Sequence, residues 1–229
     1  MSARIVRTLT AAGALALGMT LAGAGAYAGV TINSAVGGAP TGVNYVNFDG
    51  LSLGNGGGTS NGVGVSFTGD AQAVQGSLSG IYAAPFLSNG NGTQFGDANN
   101  GPDATTFITT GTSTVTLDLP GAEHYIGLLW GSVDAYNTLE LYNGTTIVGT
   151  VTGANITATD NGNQGADGTY YVNINSSLAF TSVVMTSSQN AFEFDNVAYN
   201  ATAVPEPAAL ALFGVGLLGL VVTYRRRSA

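Results

Sequence analysis

Between residues 113 and 119 the chain alternates without a break. Val115, Leu117 and Leu119 fall on one side, and Thr114, Thr116 and Asp118 on the other. A period of two buries one face of an extended strand and wets the other; a helix would scatter the same apolar residues around its axis. Short runs of strand character recur at 45–48, 63–67, 79–82, 105–108, 125–130, 169–174, 182–186 and 192–199, separated by clusters of Gly, Asn, Asp, Ser and Thr. Asn143-Gly144, between Leu139–Tyr142 and Thr146–Val148, is a strong hairpin signal because both turn residues tolerate positive φ. About ten strands over roughly 155 residues predict an all-β fold, a two-sheet jelly-roll-like β-sandwich. A domain of that size buries about 70% of its unfolded surface and needs no metal or disulfide merely to fold.

This pattern divides the 229-residue chain into four parts: a signal peptide at 1–28, a flexible leader at 29–44, an acidic β-sandwich at 45–200 and a C-terminal segment at 201–229. Gly/Asn-rich loops are expected at 51–62 and 88–103.

Charge is distributed unevenly. The five basic residues are Arg4, Arg7, Arg225, Arg226 and Arg227, so no Lys or Arg lies between residues 29 and 203. All acidic residues but Glu206, 12 of the 13, lie inside that interval. An anionic surface of this kind cannot make the phosphate contacts on which nucleic-acid binding depends. It favours bound cations, and Ca²⁺ is the expected one outside a cell. With no Cys and one His, disulfides, thiolate metal sites, a Cys nucleophile and a two-His site are all excluded. The absence of Lys from the domain also excludes Lys–Asn isopeptide staples.

Both ends carry addresses. Arg4 and Arg7 precede an apolar run from Leu9 to Leu21, and Ala26-Tyr27-Ala28 supplies a small-x-small cleavage site. The order is that of a secretory signal read by the translocon, with Ala26 and Ala28 flanking cleavage. At the other end Ala208–Val222 is a run of 15 apolar or glycine residues, extended by Thr223 and Tyr224. As a helix it spans about 25 Å, just short of a hydrocarbon core of about 30 Å. Arg225, Arg226 and Arg227 would hold its end in the cytoplasm. Before it stands Pro205-Glu206-Pro207, whose prolines favour an extended, enzyme-accessible segment.

Pro205-Glu206-Pro207, an apolar helix and a terminal Arg cluster, in that order, resemble the PEP-CTERM sorting signal. The resemblance implies processing by exosortase in a Gram-negative envelope and delivery to the cell surface, where extracellular polysaccharide is a prospective partner. A second resemblance covers the domain. Phe48-Asp49, Trp130-Gly131-Ser132-x-Asp134-x-Tyr136-Asn137 and Phe192-x-Phe194-Asp195-Asn196-Val197 are similar to a group of exosortase-dependent surface proteins. The last of these also resembles the closing strand of carbohydrate-binding jelly rolls. That likeness implies a structural Ca²⁺ at Asp195 and Asp49, with Asn196 completing the oxygen shell.

Three other readings concern chemistry. Asp97-x-Asn99-x-Gly101-x-Asp103 has the alternate spacing of calcium loops but lacks a bidentate Glu at the twelfth position and a flanking helix, and reads more simply as an Asn/Gly turn. Asp160 and Asp167 stand in another such loop. Trp130, Tyr136 and Tyr142, with Asp134 and Asn137 nearby, could form a sugar platform; alternatively Trp130 ends an apolar strand and belongs to the core. Catalysis has little support. Gly58-x-Ser60-x-Gly62 lacks the strand–turn–helix setting of a nucleophile elbow, and nothing pairs two of Glu123, Glu140 and Glu193. The expected protein is therefore a non-enzymatic, structural or adhesive surface domain, or alternatively a calcium-stabilised carbohydrate-binding module.

Overall fold

The computed structural model describes residues 29–204 except 37, 39 and 98. The signal-cleavage residues Ala26 and Ala28, the motif Pro205-Glu206-Pro207 and Arg225–Arg227 lie outside the described residues. Thirteen strands follow one another: β1 (Val30–Ala35), β2 (Asn44–Val46), β3 (Gly58–Ser60), β4 (Val63–Phe67), β5 (Gln72–Val74), β6 (Phe86–Leu87), β7 (Gly101–Pro102), β8 (Phe107–Thr110), β9 (Thr114–Gly131), β10 (Asn137–Asn143), β11 (Thr146–Thr152), β12 (Tyr170–Ser187) and β13 (Phe192–Asn200). No α-helix occurs among the described residues, and none of their helical turns is long and apolar enough to cross a membrane.

The fold is all-β, and its long strands explain its shape. Residues 114–118 of β9 pair with β4 and the second half of β12; residues 125–131 pair with β13 and the first half of β12. The first half of β12 also pairs with β1, and its second half with β10, which carries β11. The two strands thus pass from one group of partners to another across register shifts at Asn175, Phe180 and Ser182. Strands that turn a corner in this way join two sheet halves into a continuous ladder, an arrangement consistent with a β-sandwich. What the sequence splits into runs at 113–119 and 125–130, and at 169–174 and 182–186, is therefore two 18-residue strands. The exposed midpoint of β9 at Pro120, Gly121 and Ala122 interrupts the apolar pattern without ending the strand.

The expectation of a flexible leader at 29–44 is corrected. Val30 and Ile32 are buried, and Val30–Ala35 pairs along β12 from Ser176 to Tyr171. Alternating Val30 and Ile32 with Thr31 and Asn33 is the same period-two signal found at 113–119, so residues 30–35 belong to the sheet. The hairpin at Asn143-Gly144 forms, but Asn143 stays in the ladder opposite Thr146. Gly144 alone takes positive φ (59°), which puts glycine first in a two-residue loop. Expected strand 79–82 is instead a turn closed by the bridge Leu78–Tyr82.

β13 is buried along almost its whole length. Phe192 and Phe194 join the main core with Trp130, Phe48 and Ile108. Alternation sends Glu193 and Asp195 to the opposite face. That face is covered by a long excursion between β5 and β8, which contains β6, β7 and a single 3₁₀ turn at Thr93–Phe95.

Candidate metal centre

Carboxylate oxygens of Asp97, Asp103 and Asp195 all lie within 4.8 Å of one another. Asp195 comes from β13, and the other two come from the excursion that covers it. Its side chain is fully buried, and neither oxygen has a partner within ordinary hydrogen-bond geometry. Asp103 is held from behind: its backbone N–H donates to Pro85 O (2.8 Å), and its Oδ1 accepts from Thr105 N (2.8 Å) and Thr105 Oγ1 (2.6 Å). Its Oδ2 is left buried and unpartnered. Asp97 donates its N–H to Gly92 O (3.0 Å) and accepts a bond from Asn196 Nδ2 at 3.3 Å.

Asn196 is the device that aims two successive side chains at one site. In a regular strand Asp195 and Asn196 would point to opposite faces. The β13–β9 register shifts between Asp195 and Ala198, and Asn196 takes φ of 52°. This bulge re-aims Asn196 onto the Asp97 side of the strand. Its amide then bonds Asp97, while its buried Oδ1 stays without a partner.

The electrostatics follow from this geometry. Burial raises the Asp195 carboxyl well above the usual carboxylate range, and the neighbouring charge of Asp103 raises it further. Asp97 is raised by partial burial, then by Asp103 and Asp49, with the Asn196 hydrogen bond opposing. An unpaired buried carboxylate is expensive unless it is protonated or ligates a cation. No Lys or Arg lies between residues 29 and 203, and His124 bonds Ser176 O at 2.9 Å. The unpartnered donors here are all oxygen: Asp195 Oδ1 and Oδ2, Asp103 Oδ2 and Asn196 Oδ1. Ca²⁺ takes oxygens at about 2.3–2.6 Å, so two ligands across one ion stand at most about 5 Å apart. The spacing of the trio fits that limit.

The structure thus merges two candidates that the sequence keeps apart. Asp97 and Asp103 from one loop join Asp195 and Asn196 from the last strand. Asn99 stands exposed in the same loop. Asp49 is corrected as a partner of Asp195. β2 does pair with β13, which brings Asp49 to this end of the fold, but Asp49 is exposed and outside the trio. Its oxygens accept from Asn47 Nδ2 (2.7 Å) and Thr106 N (3.3 Å).

Of the aromatic platform residues, Trp130 is corrected most clearly. It has no exposed surface and stacks on Phe192 with ring centroids 4.2 Å apart. Asn137 is equally buried; it donates to Ala191 O (3.2 Å) and accepts from Ser187 Oγ (2.8 Å), which fixes the β12–β13 turn. Asp134 and Tyr136 do stand together, the phenol 2.6 Å from Asp134 Oδ2. Gly58–Gly62 is a tight hairpin between β3 and β4, with positive φ at Asn61 and Gly62 and no helix after it. Glu193 is a buried acid on the same face that residue spacing alone misses. The signal was the alternation Phe192-Glu193-Phe194-Asp195, which opposes two acids to two aromatics on one strand.

No curated protein and no solved structure matches the chain. Residues 203–227 match the family of the PEP-CTERM protein-sorting motif. The motif implies export, a membrane-anchored cell-envelope precursor and exosortase processing. The all-β domain is therefore the cargo of a C-terminal address, a PEP-CTERM sorting signal carried at residues 203–227.

Proposed function

We propose that the chain is a calcium-loaded structural or adhesive β-sandwich of the extracellular matrix. A secretory signal at 1–28 carries it to the translocon, and its precursor is held by a C-terminal helix whose Arg225–Arg227 end faces the cytoplasm. Release follows exosortase processing at Pro205-Glu206-Pro207. The observation that carries the calcium reading is the fully buried, unpartnered Asp195 carboxylate opposite Asp97 and Asp103. Extracellular calcium is abundant, and the ion would tie the covering excursion to β13. The domain then gains rigidity only after export, which suits a displayed module. The role proposed for the trio is structural, with its carboxylates serving as ligands to the ion.

The test is fractionation with intact-mass measurement in producing cells with and without exosortase, followed by protease treatment of intact cells in calcium or in EDTA. The reading expects a surface form lacking residues after the motif only where exosortase is present, and cleavage within 75–106 only in EDTA. An intact tail on the surface form in both strains contradicts the processing step. Protease resistance that EDTA does not change contradicts the calcium step.

A further inference from the structure

A second feature of the outer face of β13 is a cavity of about 250 Å³ beside Glu193. Four segments line it: the β9–β10 turn brings Ser132, Asp134 and Tyr136, the β11–β12 connection brings Asn161 and Gln164, the β12–β13 turn brings Asn190, and the excursion brings Tyr82. We propose that this cavity binds a neutral, hydroxyl-rich ring the size of one hexopyranose.

Four observations carry the assignment. The volume lies below the roughly 300–1,000 Å³ typical of sites for drug-sized ligands, which leaves room for one small ring. The lining is polar and rich in groups that both donate and accept: exposed amides of Asn161, Gln164 and Asn190, the Ser132 hydroxyl and the Tyr136 phenol. Two tyrosines, Tyr82 and Tyr136, stand among the lining residues and bring aromatic rings within reach of a small ring ligand. Charge excludes the anionic alternatives, because Asp134 and Glu193 face the cavity and the domain holds no Lys or Arg.

Glu193 gives the cavity a fixed floor. It is almost wholly buried; its Oε1 accepts from Ala83 N at 2.8 Å, and its Oε2 accepts from the Ser132 hydroxyl. Each oxygen keeps a second lone pair, and Ser132 Oγ keeps its acceptor capacity. Ser132 is held at φ of 38°, a conformation uncommon for a residue with a side chain. The Tyr136 phenol lies 2.6 Å from Asp134 Oδ2 and 3.0 Å from Asn190 O, which joins the β9–β10 and β12–β13 turns. A site of this kind recognises hydroxyl groups.

The inference deepens the adhesive reading by naming what the domain would hold. It rests on that reading only for the source of the ring, the extracellular polysaccharide. The experiment is saturation-transfer NMR on the purified full-length chain, in a detergent without sugar headgroups. Probes are the methyl glycosides of glucose, galactose and mannose, with glucuronate and glucosamine as charged controls. At least one neutral glycoside is expected to bind with millimolar or tighter affinity. Gln164→Trp, a bulky change at an exposed position, and Tyr136→Phe should each weaken it by about tenfold or more. Binding of glucosamine or glucuronate alone, of none of the probes, or of a glycoside unaffected by both substitutions would overturn the proposal. Measurement on purified chain, with and without EDTA, keeps this outcome separate from those for display and for calcium.

Discussion

Glu193 and Asp195 stand two positions apart on β13, behind the aromatic pair Phe192 and Phe194, and each faces a different part of the 75–106 excursion. Glu193 takes the backbone N–H of Ala83, and Asp195 faces Asp97 and Asp103. One strand therefore has an apolar face that builds the core and an acidic face turned toward the cover. The two acids differ in kind. Glu193 is satisfied by protein donors, whereas Asp195 is not.

That difference sets the pH dependence. The folded value of Glu193, about 7, exceeds its ordinary 4.5 because of burial. A carboxyl raised on folding contributes stability that is fully present below the unfolded value and is lost as pH rises through the folded one. The metal-free protein should therefore lose about 3 kcal/mol between pH 4.5 and 7 from this group. Thermal melts in EDTA across that window check it. Glu193→Gln should flatten the slope; an unchanged slope would assign it to other groups.

Trp130 is the sole tryptophan, which makes its environment easy to read. Packed on Phe192 without exposed surface, it should emit at short wavelength and resist acrylamide quenching. Trp130→Ala should cost about 3–5 kcal/mol, measured by denaturant unfolding. Neither readout should respond to added glycosides beyond a general stabilisation.

Gly92 tests how the excursion places Asp97. A Cβ there would lie 2.6 Å from Asp97 O and 2.7 Å from Asp97 Cβ, too close for either to remain in position. Gly92→Ala should cost about 1–3 kcal/mol and displace Asp97. Calcium affinity should fall by about tenfold, while Trp130 emission stays unchanged because the core lies on the other face of β13.

Much of the strand content was legible because apolar alternation is a local property. Val63–Phe67 and the 139–148 hairpin are examples, and the same rule at Val30 and Ile32 marked a strand that the Gly-rich surroundings concealed. The length of β9 and β12 was not legible, since a corner at Pro120 looks in sequence like a turn. The acid trio was half legible. The Asp97–Asp103 pair carries calcium-like spacing, and Asp195 is implied by the resemblance of the last strand to carbohydrate-binding jelly rolls, but their meeting depends on an excursion folding back across about a hundred residues, which no local pattern encodes. Trp130 shows the converse: its neighbours Ser132, Asp134 and Tyr136 are polar and do form a recess, while the indole itself turns inward onto Phe192.

The central claim is that Asp195, Asp97 and Asp103 hold a calcium ion, and calorimetric titration paired with thermal melting tests it most directly. Full-length chain should bind one Ca²⁺, and its Tm should rise by about 5–10 °C near a hundredfold excess over the dissociation constant. Asp195→Asn should abolish both effects while leaving the metal-free Tm unchanged or higher, because the cost of burying and protonating that carboxyl is removed. No heat and no shift in Tm at millimolar calcium, or an undiminished response in Asp195→Asn, would contradict the account.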